Sequence, residues 1–207
     1  MLSPRQEDRS VDFIFIIGAP AVGKTTLARE LYKRLGGVYI EQNSAPEFMI
    51  PAYVKDEGAY EEQVCWGYVL RQAEYFRSLC LHNIIILDFD DIRIREVPLI
   101  FKGQSFAILR LYSSDPEQIK VQMIHRAKNE GGLYYPEMAL RITALHRRRP
   151  LLPNEIKLDV AGKTPSEVLD GAETLLKDFS PLTDYEYALP DDKDYYSWVI
   201  SRGLRQS

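Results

Sequence analysis

Near its start the chain carries a glycine-rich octapeptide, residues 18–25 (GAPAVGKT), between two strongly patterned segments. Residues 11–17 (VDFIFII) are apolar and rich in aromatic and β-branched side chains, which is typical of a buried parallel strand. Residues 25–35 carry leucines at four-residue spacing and are followed by Gly36-Gly37, which indicates a helix and its end. A strand, this loop and a helix, in that order, are the context in which G-x-x-x-x-G-K-[ST] binds phosphates.

The loop predicts a nucleoside triphosphate, ATP, and Mg²⁺ as ligands. Its glycines let backbone N–H groups turn toward a β-phosphate, and the following helix adds positive potential at its N-terminus. Lys24 is expected to reach the β and γ oxygens, and the Thr25 hydroxyl is expected to ligate Mg²⁺. The predicted nucleotide-binding residues are Gly18, Ala19, Pro20, Ala21, Val22, Gly23, Lys24, Thr25 and Thr26.

Size and charge bound the class of protein. The 207 residues suffice for one domain with a full core, and the formal net charge of −4 argues against a nucleic acid polymer as partner. Residues 1–12 lack the apolar core of a signal peptide, and no segment reaches the roughly 18 apolar residues of a membrane span. Cys65 and Cys80 fall in one predicted helix, too far apart to bridge. We therefore expect a cytoplasmic protein without a membrane partner, acting on a small molecule.

Strand and helix patterns alternate along the rest of the chain. Further strands are predicted at 38–41, 84–87, 106–111 and 156–160, and further helices at about 59–81, 95–101, 116–129, 136–148 and 165–176. This alternation favours an α/β fold with a parallel sheet covered on both faces. We assign residues 1–180 to one domain and 181–207 to a C-terminal tail. Aromatic residues in the tail (Tyr185, Tyr187, Tyr195, Tyr196, Trp198) predict docking on this domain, with docking on a partner or self-association as alternatives.

The chain resembles the P-loop kinases of small molecules, the adenylate-kinase-like and nucleoside-kinase-like superfamily, over residues 11–178. The resemblance is carried by the loop GAPAVGKTT, by the apolar strand ending in Asp88, and by the late segment IKLDVAGKTPSEVLDGAETLL. It implies a three-layer P-loop fold with a five-stranded parallel sheet in the order 2-3-1-4-5, helices on both faces, and a helical lid at about 127–150. It also implies that residues 161–164 lie beside the nucleotide base.

A second Gly-Lys-Thr, at residues 162–164, is not predicted to bind phosphates. Lys157 stands where the first glycine of the pattern is required.

Candidate catalytic residues besides Lys24 are Glu41, Asp88, Arg126 and Arg141. Asp88, at the carboxyl end of a strand, is the expected second anchor for Mg²⁺, and a solvent-exposed acid is the alternative. Glu41 follows the second strand, where the nucleoside kinases that the chain resembles carry an acceptor-side carboxylate, and Asp88 is the alternative base. Arg126 and Arg141 are the first candidates for lid arginines, against a solvated basic helix face.

These residues favour an ATP-dependent kinase that transfers the γ-phosphoryl group to a hydroxyl of a small molecule, such as a nucleoside, sugar or antibiotic. A nucleoside monophosphate kinase is the alternative, although residues 88–95 (DFDDIRIR) lack the glycine and proline of the family's Asp-Gly-x-Pro-Arg pattern. A nucleotide-binding regulatory ATPase module is the alternative from another class. A switch GTPase is disfavoured because no Asn-Lys-x-Asp occurs. The acceptor and the preference for ATP over GTP stay open.

Overall fold

A computed structural model describes residues 11–41, 57–87, 91–130 and 136–189. Strands and helices alternate through these residues, as the sequence predicts, with boundaries that differ by a few residues. In chain order the elements are β1 (Phe13–Gly18), α1 (Lys24–Leu35), β2 (Val38–Glu41), α2 (Glu57–Ser78), β3 (Ile84–Leu87), α3 (Asp91–Ile100), β4 (Phe106–Tyr112), α4 (Pro116–Glu130), α5 (Pro136–Arg148), β5 (Glu155–Asp159) and α6 (Pro165–Lys177).

The five strands form one parallel sheet in the order β2-β3-β1-β4-β5, which confirms the predicted topology. Phe13 at the start of β1 is in register with Ile84 of β3 and Phe106 of β4. Because all strands run in one direction, their carboxyl ends meet at one edge of the sheet. In open α/β sheets ligands bind at this edge.

Both faces of the sheet are buried, which explains the continuous apolar runs of its strands. On one face Ile14 and Ile16 pack with Leu27 and Leu31 of α1, and α6 completes the layer. On the other face the phenylalanines of β1 pack with buried residues of α2 and α3. The loop after β1 is therefore fixed on both sides by core contacts.

The predicted helix at 59–81 is shorter than expected at its carboxyl end. It ends at Ser78, so Cys80, with a φ of +59°, lies beyond it and not in the same helix as Cys65. Neither Cys65 nor Cys80 forms a disulfide bond, as predicted. Although α2 has 22 residues, neither it nor another helix in the described parts of the chain is long and apolar enough to cross a membrane.

The first part of the C-terminal tail docks on its own domain, as predicted. The Tyr185 hydroxyl donates to the Pro98 carbonyl at 2.6 Å, and the Tyr187 hydroxyl donates to the Arg95 carbonyl at 3.1 Å. The Tyr185 ring also contacts Phe106, with ring centroids 6.5 Å apart. Tail residues 181–189 thus hold α3 against the sheet, while the predicted contacts of Tyr195, Tyr196 and Trp198 lie outside the described residues.

Candidate nucleotide-binding site

Two glycines of the loop between β1 and α1 occupy positions that other residues cannot. A Cβ on Gly18 would lie 2.5 Å from the carbonyl oxygen of Leu111 on the neighbouring strand β4, and its φ is +153°. Gly23 has a φ of +91°, the left-handed conformation that glycine adopts without strain, and immediately precedes α1. The glycines of the motif therefore fix the path of the backbone from strand to helix.

Within the described residues, the N-terminus of α1 has neither a capping side chain nor an acid in its first turn. Because the first N–H groups of a helix have no partner within the helix, this end carries partial positive charge and unused donors. Such an end is a site for an anion, and phosphate groups fit it.

Lys24 is the first residue of α1, and its side chain folds back across the loop. Its ammonium group donates to the carbonyl oxygens of Gly18 at 2.7 Å and Ala19 at 3.0 Å. These bonds hold the positive charge over the backbone that would surround a phosphate chain. Lys24 thus lies against the loop, and its role in binding phosphates stays a prediction.

A cleft of about 670 Å³ opens beside the loop. This volume lies within the range of about 300–1,000 Å³ that is usual for small-ligand sites. Its walls are formed by α1, the end of β2, one side of α4, and the connection from β5 into α6. The lining residues are Ala21, Val22, Gly23, Lys24, Thr25, Thr26, Leu27, Arg29, Glu41, Gln118, Val121, Gln122, His125, Arg126, Val160, Lys163, Pro165 and Val168.

The charges around the cleft are mostly positive. Lys24, Arg29, Arg126 and Lys163 line it, whereas Glu41 is the one carboxylate among the described lining residues. Clefts lined by one sign of charge concentrate ligands of the opposite sign. The wall residues and the uncapped helix therefore both fit a polyphosphate, although the net charge of the chain is negative.

The structure brings together some of the residues that the sequence singles out. Thr25, Glu41 and Arg126 line the same cleft. Arg141 is exposed on α5 and lies outside that lining in the described part of the chain. Asp88 directly follows Leu87, the last residue of β3, and lies outside the described residues. The catalytic roles of all these residues stay predictions.

The residues present fit Mg²⁺ bound together with a nucleotide and not a metal held by protein alone. No group of three or more potential side-chain ligands forms a metal centre within the described ranges. Mg²⁺ usually keeps several waters and takes one or two protein oxygens plus substrate phosphates. The Thr25 hydroxyl, on the first turn of α1 beside the loop, is suited to be one of those protein oxygens.

Several lining residues are not identified by motif. Arg29 follows Thr25 by one helical turn, so helical spacing from the loop places both on one face of α1. Gln118, Gln122 and His125 come from α4 and leave no signal in the sequence, because only the fold brings α4 to the loop.

The second Gly-Lys-Thr is a helix start whose donors are satisfied internally. The Thr164 side chain accepts from the Glu167 N–H, and the Glu167 carboxylate accepts from the Thr164 N–H at 2.8 Å, which forms a capping box. The Lys163 ammonium donates to the Asp159 carbonyl oxygen at 2.5 Å. These bonds agree with the prediction that residues 162–164 are not a phosphate loop, although Lys163 itself lines the cleft.

Helix α5 falls within the predicted lid at about 127–150, whereas most of α4 precedes it, and the two helices together pack against the phosphate loop. Ile119 and Met123 of α4 pack with Ala139 of α5 in a small buried cluster. Ala21 of the loop packs against this cluster and has a φ of +65°. A movement of this helix pair would therefore act directly on the loop backbone.

Comparison with known proteins places the fold. No family model matches the sequence, and no characterised protein matches it in sequence. A sugar kinase from Janibacter sp. is 19% identical, with 85% of this chain and 99% of that chain covered and a TM-score of 0.55. A shikimate kinase from Bacteroides thetaiotaomicron is 16% identical, with 81% of this chain and 99% of that chain covered and a TM-score of 0.53. A gluconokinase from Sinorhizobium meliloti is 16% identical, with 81% of this chain and 93% of that chain covered and a TM-score of 0.51. The chain therefore has the fold of the P-loop small-molecule kinases, as its sequence predicts.

Proposed function

We propose that the protein is an ATP-dependent phosphotransferase that moves the γ-phosphoryl group of ATP to a hydroxyl of a small molecule. The observation that carries this proposal is the uncapped N-terminus of α1, which opens on a cleft with cationic walls and a single described carboxylate, Glu41. The uncapped helix end suits the phosphates, and the Glu41 carboxylate in the cleft lining suits a hydroxyl.

On the donor side, the chain's own groups bind and orient the triphosphate. The loop N–H groups and the end of α1 surround the β-phosphate, and Lys24 swings from its carbonyl partners to the β and γ oxygens. Arg126, across the cleft on α4, is suited to share the charge of the transferring group. Thr25 and Asp88 would hold Mg²⁺, which neutralises part of the phosphate charge when bound.

On the acceptor side, Glu41 orients the hydroxyl and accepts its proton. As the acceptor oxygen bonds to the γ-phosphorus, the bond from that phosphorus to ADP breaks and the acceptor proton moves to the Glu41 carboxylate. The cleft walls position the two substrates, which supplies much of the catalysis in phosphoryl transfer.

A hydroxyl acceptor is favoured over the phosphate of a nucleoside monophosphate. An acceptor phosphate needs arginines to hold it, and the arginines after β3 are engaged elsewhere. Arg93 donates to Glu96 at 3.1 Å, and Arg95, also on α3, is buried with 4% of its surface exposed. The solved structures named as a sugar kinase, a shikimate kinase and a gluconokinase lend further support.

The acceptor class is tested by thermal shift with Mg²⁺ and a non-hydrolysable ATP analogue. Nucleosides, nucleoside monophosphates, sugars, sugar acids and aminoglycosides are added in turn, since a ligand at 100 times its Kd stabilises the native state by about 2.7 kcal/mol. ADP release from MgATP is then measured with each ligand that raises the Tm. Binding of the nucleotide without any acceptor-dependent ADP release would support the regulatory module instead.

Lys24→Ala tests the loop, with Lys33→Ala as the matched control. We expect Lys24→Ala to abolish acceptor-dependent ADP release while the far-UV circular dichroism stays unchanged, because the fold does not depend on this ammonium group. Lys33 lies on the same helix, exposed and paired with Glu30 at 2.9 Å, so its removal should leave turnover intact. Parental turnover in Lys24→Ala contradicts the assigned role.

Glu41→Gln tests the base, with Glu30→Gln as the control on an exposed face of α1. Loss of a general base typically slows a reaction by about 10²–10⁴-fold. We expect such a loss in Glu41→Gln with little change in the affinity for the ATP analogue. An equal rate in the two variants would remove Glu41 as base.

A further inference from the structure

Tyr39 and Glu41 lie side by side on the edge strand β2. Alternate residues of a strand point to the same face, so both side chains lie on the face that α1 covers. The Tyr39 ring stacks on Tyr32 of α1, with ring centroids 6.1 Å apart and planes at 20°. This stacking fixes the direction of the Tyr39 hydroxyl.

The Tyr39 hydroxyl oxygen is buried and makes no hydrogen bond of good geometry within the described residues, although the Glu41 carboxylate and Arg29 lie close enough to affect it. Burying a hydroxyl is costly unless a hydrogen bond compensates, so a nearby group is expected to hold it. Burial raises the pKa of Tyr39 above its usual value, and the neighbouring Glu41 carboxylate raises it further, against a smaller opposite effect of Arg29. The hydroxyl therefore keeps its proton and is available as a donor close to Glu41.

We propose that Tyr39 is a positioning residue for Glu41: in the loaded cleft its hydroxyl donates to one carboxylate oxygen and leaves the other to face the acceptor. The inference rests on the proposed function, in which Glu41 is the base. A carboxylate has two oxygens, and a base held by a third group keeps the orientation that proton transfer needs. The acceptor proton moves to the outward oxygen of Glu41, and Tyr39 retains its own proton throughout.

Cations make up most of the described titratable groups around Tyr39 and Glu41. Across the cleft from the pair, and along α1 beside it, the described titratable groups are Lys24, Arg29, Tyr32, His125, Arg126 and Lys163. Lys24, Arg29, Arg126 and Lys163 are the cations among them, and they concentrate anionic ligands beside the pair.

Tyr39→Phe removes the hydroxyl while keeping the ring that stacks on Tyr32. Tyr32→Phe is the matched control, because it keeps the same ring pair and removes the other hydroxyl. The first measurement is the pKa of Glu41 by carbon-13 NMR of glutamate-labelled protein with Mg²⁺ and the ATP analogue, with Glu41→Gln identifying the resonance. A hydrogen bond to the charged form lowers a pKa, so Tyr39→Phe should raise that of Glu41 and Tyr32→Phe should not. An unchanged pKa in Tyr39→Phe overturns the proposal.

The second measurement is ADP release from MgATP, with water as acceptor, in a double-mutant cycle. Loss of a hydrogen bond to a charged group should slow the parental enzyme about tenfold in Tyr39→Phe. In a Glu41→Gln background the same substitution should have no further effect, because no carboxylate remains to be positioned. An equal slowing in both backgrounds reveals a purely structural role and overturns the inference.

A parental rate in Glu41→Gln alone overturns the base role in the proposed function, and the pKa measurement still decides whether Tyr39 bonds to Glu41.

Discussion

A buried ion-pair network anchors α5 to the sheet, and Glu155→Gln should expose its strength. The side chains of Arg110 on β4 and Glu155 on β5 are both 0% exposed and meet at 2.5 Å. Glu155 also accepts from the Arg149 guanidinium at 2.9 Å and from the Leu152 N–H at 2.6 Å. Arg110 donates in addition to the His146 carbonyl oxygen at the end of α5. The carboxylate thus balances two guanidinium groups that hold the end of a helix.

The expected loss of stability follows from this geometry. Glutamine keeps the shape of Glu155 but removes its charge and turns an amide N–H₂ group toward the donors that the carboxylate accepts. Removing one partner of a buried ion pair costs about 3–5 kcal/mol, because the remaining charge is left uncompensated. For a domain of this size each kcal/mol lowers the Tm by about 2–4 °C, so the Tm should fall by about 6–20 °C.

The measurement is urea unfolding at pH 7, followed by far-UV circular dichroism. Glu173→Gln is the control, since Glu173 pairs with Arg34 and Lys177 on the surface and such pairs contribute at most about 1 kcal/mol. Replacing Glu155 together with both guanidinium partners, Arg110→Met and Arg149→Met with Glu155→Leu, should recover part of the loss, because no charge is then left uncompensated. If Glu155→Gln loses no more stability than Glu173→Gln, the charge balance assigned to Glu155 is wrong.

The pH dependence gives a second check on the same residue. Burial alone would raise the pKa of Glu155, but the hydrogen bonds and charges of Arg110 and Arg149 outweigh it and lower the pKa below its usual value. A carboxylate with a lowered folded-state pKa contributes its full stability above the unfolded-state pKa of about 4.3. That contribution is lost as the pH falls through the folded-state pKa. The stability gap between the parent and Glu155→Gln should therefore be full at pH 7 and should shrink below about pH 4.

Three further substitutions test the phosphate loop, the second helix start and the docking of the tail. Thr25→Ala should weaken the binding of Mg²⁺ with the ATP analogue in isothermal titration calorimetry, whereas Thr164→Ala should leave that affinity unchanged and lower stability by about 1 kcal/mol through loss of the helix cap. Equal effects of the two on nucleotide affinity would contradict the distinction between the two Gly-Lys-Thr sequences. Tyr185→Phe should cost about 1 kcal/mol in urea unfolding, because its hydroxyl bonds to the Pro98 carbonyl at 2.6 Å. No change in the unfolding midpoint would show that this bond does not hold the tail.

The sheet was predictable from sequence because its signals are local. Residues 13–18 and 84–87 are short apolar runs that end at loop residues, and a strand buried on both faces needs little else. Arg110 illustrates what such reading misses. It lies in the apolar run FAILRLY, where a charge predicts an exposed position, yet it is fully buried. Its partner Glu155 is 45 residues away and becomes a neighbour only through the pairing of β4 with β5.

The same limit applies to the cleft. The residues of the phosphate loop are contiguous, so one octapeptide was enough to predict where the loop lies between β1 and α1. Arg29, Tyr39 and Lys163 come from three different elements, and their chemistry appears only when the fold brings those elements together. A lone tyrosine in a strand predicts core packing, and only its proximity to Glu41 and the burial of its hydroxyl suggest otherwise.

Two Gly-Lys-Thr sequences in one chain show what makes a helix end into an anion site. Both follow the carboxyl end of a parallel strand, both place glycine at positive φ, and both lysines line one cleft. At α6 the protein uses Thr164 and Glu167 to satisfy the helix start itself, and the acid cancels the partial positive charge. At α1 there is neither a capping side chain nor an acid in the first turn. Gly18 also has no Cβ, which would otherwise lie 2.5 Å from the carbonyl oxygen of Leu111 on β4. The backbone N–H groups at the start of α1, which a capping side chain would otherwise bind, are therefore left for a ligand. Both helix starts share the Gly-Lys-Thr sequence, so it is the lack of a cap at α1 that favours phosphate binding there.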